Sequence, residues 1–192
     1  MNIGLFFGSF NPIHVGHLII ANHLVEHSDM DQLWFVVTPH SPHKKKNTLL
    51  NDNHRLAMVN TAVEEYDNLL SSNIEFHLPQ PNYTVNTLAH IGEKYPEHNF
   101  SLIMGEDNLK SFHKWKNHKA ILENHQIYVY PRIVVGSVDP KFMNHQNIHK
   151  VKAPIVEISS TLIRNSIKLG KNYRPLVSQP VWQYIDEMNF YK

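Results

Sequence analysis

One stretch, Gly8-Ser9-Phe10-Asn11-Pro12-Ile13-His14-Val15-Gly16-His17, constrains the chain more than any other. It follows the apolar run Ile3 to Phe7, which reads as a buried strand. It precedes Leu18 to His27, where Leu18, Ala21 and Val25 fall on one face at helical spacing. A strand, a glycine-bearing loop and a helix start in direct succession can bind an anion. The loop supplies backbone N–H groups, and the helix start supplies unpaired N–H groups at the positive end of its dipole. Gly8 and Gly16, lacking Cβ atoms, are expected to let a bulky anion approach the backbone. His14 and His17, three residues apart at the helix start, can point the same way and add side-chain donors. Spacing alone does not assign them: the 192-residue chain has 15 histidines, so about one such pair arises by chance, and His40 and His43 form a second.

The formal charge of +1 provides no global basic field, so phosphate recognition has to be local and a nucleic acid polymer is not an expected partner. The absence of cysteine rules out disulfides and thiolate metal sites. No basic leader precedes the first apolar run, which Asn11-Pro12 cuts short, and no run approaches the ~18 apolar residues of a membrane span. The expected location is the cytoplasm, with no membrane partner. The length suits a single domain over residues 1–192.

Further strands are expected at Leu33 to Thr38, Ile74 to His77, Phe100 to Met104 and Gln126 to Tyr130, and Val151 to Glu157 returns to the sheet despite Pro154. Helices are expected over Asn53 to Glu65, capped by Asp52 or Asn53, from Asn82 to about Tyr95, ahead of Leu109, and over Ala120 to Asn124. Ser159 or Ser160 caps another that ends at Gly170, and a last helix spans about Val177 to Met188. Residues 131–150 read as an irregular excursion between strands. Strands alternating with helices from the first residue imply an α/β, doubly wound parallel sheet with helices on both faces and a helical C-terminal segment. Gly105 and Asp107 fall just past the Phe100 to Met104 strand, where ligands bind in such sheets. Asp107 can accept from a ribose hydroxyl and cap a helix. His23/His27 and His145/His149 have metal-compatible spacing but no third ligand, and read as surface histidines.

The Gly8 to His17 stretch resembles the G-x-F-x-P-x-H-x-G-H signature of the nucleotidyltransferase superfamily. Ile158-Ser159-Ser160-Thr161-Leu162-Ile163-Arg164 is similar to the I-S-S-T-x-x-R signature of its nicotinate and nicotinamide mononucleotide adenylyltransferases. The resemblance extends from Gly4 to Phe190-Tyr191 and implies a Rossmann-like fold. It implies catalysis by His14, His17 and Arg164. It implies ATP contacts from Gly8, Ser9, Phe10, His14, Gly16, His17, Gly105, Asp107, Ser159, Ser160, Thr161 and Arg164. Mononucleotide contacts would come from Ser9, Lys44, Tyr83, Thr84 and Trp115. Lys44 lies in Pro39-His40-Ser41-Pro42-His43-Lys44-Lys45-Lys46, similar to the family's P-x-x-P-H-K stretch; the run also reads as a solvated charged loop. Asn82-Tyr83-Thr84-Val85-Asn86-Thr87-Leu88 looks like S-Y-T-x-x-T-L with Asn82 in place of serine, and both residue types cap helices. Tyr83 could equally be a half-buried core aromatic. Trp115 is expected to stack on an aromatic ring, and Arg55 to be structural.

The implied reaction joins nicotinate mononucleotide to the AMP part of ATP, giving deamido-NAD and pyrophosphate. A phosphate monoester is mostly dianionic at neutral pH, having a second pKa of ~6, so it can attack the α-phosphorus of ATP without a protein nucleophile. The enzyme has to align two anions and neutralise developing charge. Mg²⁺ would travel with the ATP phosphates, and no dedicated carboxylate cage is expected. Nicotinamide mononucleotide is the alternative acceptor. Pantetheine-phosphate adenylyltransferases share the first motif but usually carry lysine where this chain has Arg164. A nucleotide-binding regulatory module is the non-enzymatic alternative. The oligomeric state is not fixed by the sequence, and a homo-oligomer remains open.

Overall fold

The computed structural model describes residues 1–40, 49–133 and 138–192. Six strands form one fully parallel sheet: β1 (Asn2–Gly8), β2 (Gln32–Val37), β3 (Leu69–Ser72), β4 (Asn99–Gly105), β5 (Ile127–Tyr130) and β6 (Ile148–Lys150), in the order β3-β2-β1-β4-β5-β6. Parallel strands are covered on both faces, which is why β1, β2, β4 and β5 read as near-continuous apolar runs. Strand alternation divides them between two cores. Phe6, Leu33, Phe35, Val37, Ile103 and Tyr128 face one side. There α1 (Val15–His27), α2 (Asp52–Val63), α7 (Ser160–Lys168) and α8 (Gln179–Glu187) lay down Leu24, Met58, Ile163 and Ile185. Ile3, Leu5, Val36, Leu102, Met104 and Val129 face the other. There α3 (Thr84–Lys94), α4 (Glu106–Ser111), α5 (His118–Asn124) and α6 (Pro140–Met143) contribute Leu88, Leu109, Ile121 and Phe142. Side chains such as Phe35 and Leu24, wholly removed from water, each stabilise the fold by roughly 1.5–3 kcal/mol.

The chain leaves β1 toward β2 and β3, then returns to lay β4, β5 and β6 on the other side. Above the carboxyl ends of β1 and β4 the winding reverses, opening the crevice where such sheets bind ligands.

Five expectations need correction. Residues Ile74–His77 form a 3-10 turn, and the third strand is Leu69–Ser72. That edge strand buries Leu69 but exposes Leu70 and ends in two serines, which hides its pattern. Residues 151–157 do not rejoin the sheet: after Val151 N–H bonds to Val129 O at 2.9 Å the chain leaves the edge, and Pro154 has no N–H to continue a ladder. The sixth strand falls inside the stretch read as an excursion. Asn51, not Asp52 or Asn53, caps α2, accepting from Asn53 N–H at 2.9 Å. Asn82 does not cap α3, since Tyr83 holds that position. The Asn82 side chain turns inward, accepting from His40 N–H at 3.3 Å and donating to Glu75 O at 3.1 Å.

Candidate active site

The Gly8 to His17 stretch runs from the end of β1 to the start of α1, and its shape is set by inward anchors. Phe10 adopts a positive φ of 43° and is 2% exposed. Its ring meets those of His17, Phe35 and Phe6 edge-on at 5.1, 5.4 and 6.1 Å. A Cβ on Gly8 would lie 2.7 Å from the Phe10 ring. A Cβ on Gly16 would lie 2.9 Å from Val156 and 3.1 Å from the His14 ring. The space both glycines leave is thus filled by the chain's own side chains. Gly8 nonetheless keeps a place on the wall of the cleft described below.

Arg55, fully buried, donates to Ser9 O at 2.5 Å, Thr38 O at 3.0 Å, Leu50 O at 3.1 Å and the Asp52 carboxylate at 2.6 Å. That satisfies its fork and pins the loop, in keeping with a structural part. The distant serine-rich motif docks on the same loop. Ser160 Oγ–H donates to Pro12 O at 2.8 Å, and Arg164 Nη1–H to Asn11 O at 2.8 Å, bridging 148 and 153 positions of sequence. Arg164 Nη2–H also reaches Thr161 Oγ1 at 3.3 Å. Ser159 is the cap of α7, accepting from Leu162 N–H at 3.1 Å. On the far side the Tyr191 hydroxyl donates to Asn11 Oδ1 at 2.9 Å, and Leu50 N–H to the same oxygen at 3.3 Å.

The two histidine rings stack with centroids 3.7 Å apart. His14 N–H donates to His17 Nδ1 at 3.2 Å. An accepting Nδ1 puts the proton of neutral His17 on Nε2, making that atom a donor. His14 is 3% exposed, and burial, with the Arg132 guanidinium adding to it, lowers its pKa to about 4. It is therefore neutral at physiological pH.

These groups line one cleft of ≈ 730 Å³ at the crevice. Gly8, Ser9, Phe10, His14, His17, Asp107, Ser159, Ser160, Thr161 and Arg164 line it together with Tyr83, Thr84 and Trp115. Gly16 and Gly105 do not. Gly16 lines a small adjoining recess, and Gly105 accommodates the Asp107, Arg132 and Tyr130 side chains. Lys44 and the other two lysines of its run lie outside the described residues. Trp115 lines the cleft and also packs against the core, its ring 5.5 Å from Phe112. Lys116 Nζ stands 4.5 Å from the centre of the half-buried Tyr83 ring.

Sequence reasoning missed Arg132, Lys116, Thr38 and Glu75 on the cleft wall. Arg132 follows the carboxyl end of β5, so the rule that singled out Asp107 after β4 could have found it. Its Nη1–H reaches Val156 O at 3.4 Å, and its Nε is buried without a partner among the described residues. The cleft wall therefore carries two guanidinium groups, Arg132 and Arg164, and two histidines, of which His14 is neutral, together with the aromatic rings of Tyr83 and Trp115. That suits a phosphate chain joined to a ring. Among the described residues no three His, Asp or Glu side chains converge as a metal-binding group.

The cytidylyltransferase-like family model matches residues 5–166. A Flavobacterium psychrophilum protein named "Probable nicotinate-nucleotide adenylyltransferase" is 66% identical over 192 residues, 100% of both chains. A Christiangramia forsetii protein of the same name is 67% identical over 190 residues, 99% of this chain and 98% of that one. Plasmodium falciparum nicotinic acid mononucleotide adenylyltransferase complexed with NaAD matches with a TM-score of 0.83 at 18% identity, over 99% of this chain and 97% of that one. At that identity the likeness is one of fold.

Proposed function

From the premise that the chain belongs to the cytidylyltransferase-like family, we propose that it is a nicotinate-nucleotide adenylyltransferase acting as one unit over its whole length. It joins nicotinate mononucleotide to the AMP part of ATP. A phosphate oxygen of the mononucleotide forms a bond to the α-phosphorus as the bond to the bridging oxygen of pyrophosphate breaks. The observation that carries this reading is the docking of the α7 start on the glycine loop, which sets Arg164 and Thr161 beside the His14–His17 pair in one cleft.

In this reading His17 Nε2–H donates to the phosphate chain, where charge grows in the transition state. Arg164 holds the β- and γ-phosphates. Two of its five N–H groups brace it against Asn11 and Thr161, and the rest of the fork is left for phosphate oxygens. The Ser160 hydroxyl already donates to Pro12 O, so its part falls to its backbone N–H at the helix start, and Thr161 supplies a hydroxyl. Tyr83, Thr84 and Trp115 take the mononucleotide. Asp107, exposed at the start of α4, accepts from a ribose hydroxyl. A divalent ion such as Mg²⁺, carried by the ATP phosphates and not by a carboxylate group of the described residues, would neutralise part of their charge. No helix among the described residues is long and apolar enough to cross a membrane, and we place the enzyme in the cytoplasm.

The test is pyrophosphate release from ATP with and without nicotinate mononucleotide. Release should depend on the mononucleotide and fall at least a hundredfold in His17→Ala. Release that ignores the mononucleotide would mean an ATP hydrolase.

A further inference from the structure

Glu75 is a buried carboxyl that the reaction above does not use. It lies in the 3-10 turn before α3, is 1% exposed, and lines the cleft. Oε1 accepts from the Thr87 hydroxyl at 2.6 Å, while Oε2 is buried with no partner among the described residues. No described cation pairs with it. Thr38, just past β2, and Thr87 of α3 present hydroxyls to it. The titratable groups on the adjoining stretches are His40, His77, Tyr83 and Lys116, with His90, Glu93 and Lys94 on α3. An ionised carboxylate has about four acceptor sites and would leave most of them bare here, so the site favours the protonated acid. Burial accordingly pushes the Glu75 pKa up, and the Thr87 and Thr38 hydroxyls pull only partly back.

The same side chain sits under the proposed mononucleotide end. The Glu75 carbonyl accepts from Asn82 Nδ2 at 3.1 Å, tying its turn to the Asn82-Tyr83-Thr84 segment. We propose that Glu75 is a specificity-determining residue, a neutral acid that keeps the pyridine end of the cleft free of negative charge and so admits a mononucleotide whose ring carries a carboxylate. The inference rests on the adenylyltransferase reading. Glu75 acts through its charge state and not by contact, because Oε2 is buried and Oε1 is held by the Thr87 hydroxyl. Once ionised, Glu75 repels that carboxylate and leaves an uncharged ring carboxamide nearly unaffected. Its protonation state therefore sets the preference between acid and amide. The sign follows from the raised pKa: the acid is favoured below the folded-state value and loses ground as pH rises through it.

The experiment measures kcat/KM for nicotinate and for nicotinamide mononucleotide, with saturating ATP, from the lowest to the highest pH at which the enzyme stays folded. Both substrates carry the same phosphate, so their ratio isolates the ring end. In the wild type the acid-to-amide ratio should fall by roughly tenfold or more across the range, as expected for like charges within several ångströms in a partly dry site. In Glu75→Gln, which cannot ionise, the ratio should be flat. A flat wild-type ratio overturns the inference without recourse to a variant, as does a Glu75→Gln ratio that keeps the wild-type slope. Turnover of neither mononucleotide at any pH would instead overturn the functional reading beneath it.

Discussion

Replacing Arg164 with lysine tests the division of the cleft into an ATP part and a mononucleotide part. Arg164 donates to Asn11 O at 2.8 Å and to Thr161 Oγ1 at 3.3 Å, and its planar fork still has N–H groups to offer phosphate. Lysine keeps the charge but gathers its donors on one nitrogen. It cannot hold Asn11, meet Thr161 and grip two phosphate oxygens at once. A hydrogen bond to a charged group contributes about 1.5–3 kcal/mol. Losing one phosphate contact should then lower kcat/KM for ATP by about 10- to 150-fold. The same factor applies to pyrophosphate in the reverse direction. The α7 helix should persist, because lysine is as good a helix former as arginine. Steady-state kinetics in both directions provide the assay, with circular dichroism to check the helix. A variant whose only defect is a raised KM for nicotinate mononucleotide would refute the assignment.

His17→Ala should cut kcat by on the order of 10²–10³ while leaving ATP affinity in equilibrium binding nearly unchanged, since the lost donor acts where charge develops. Arg55→Met should cost several kcal/mol in urea unfolding, because the Ser9, Thr38 and Leu50 carbonyls each lose a donor worth about 1–3 kcal/mol when buried. Gly16→Ala should displace the His14 ring or Val156 and lower kcat more than thermal stability, read from paired rate and melting measurements. His14 binds protons less readily folded, with a pKa of about 4, than unfolded, near 6.5. Stability should therefore fall as pH drops from about 6.5 toward 4, by a few kcal/mol at about 1.4 kcal/mol per pH step. His14→Asn should flatten that part of the stability profile measured by urea titration.

The parallel sheet was legible because β1, β2, β4 and β5 are buried on both faces and so read as unbroken apolar runs. The edge strands were not. Leu69–Ser72 and Ile148–Lys150 each need only a little apolar surface, and residues 151–157 carry a more strand-like sequence than either. The two motifs named the loop and helix starts that meet in the cleft, yet they could not tell a glycine that faces a ligand from one that makes room for Phe10 or His14. Ser160 likewise looked like a phosphate donor until its hydroxyl was seen on Pro12 O. Arg132 and Glu75 stand in no motif. Their place follows from where β5 ends and how the 74–77 turn folds inward, which is tertiary information.

The most direct measurement follows the phosphorus chemistry itself. The enzyme is mixed with ATP, Mg²⁺ and equimolar nicotinate and nicotinamide mononucleotides near neutral pH, and products are followed by ³¹P NMR with mass identification. The account predicts pyrophosphate and dinucleotide appearing one to one, with deamido-NAD the main dinucleotide. AMP and pyrophosphate appearing without any dinucleotide, or no consumption of ATP at all, would contradict it.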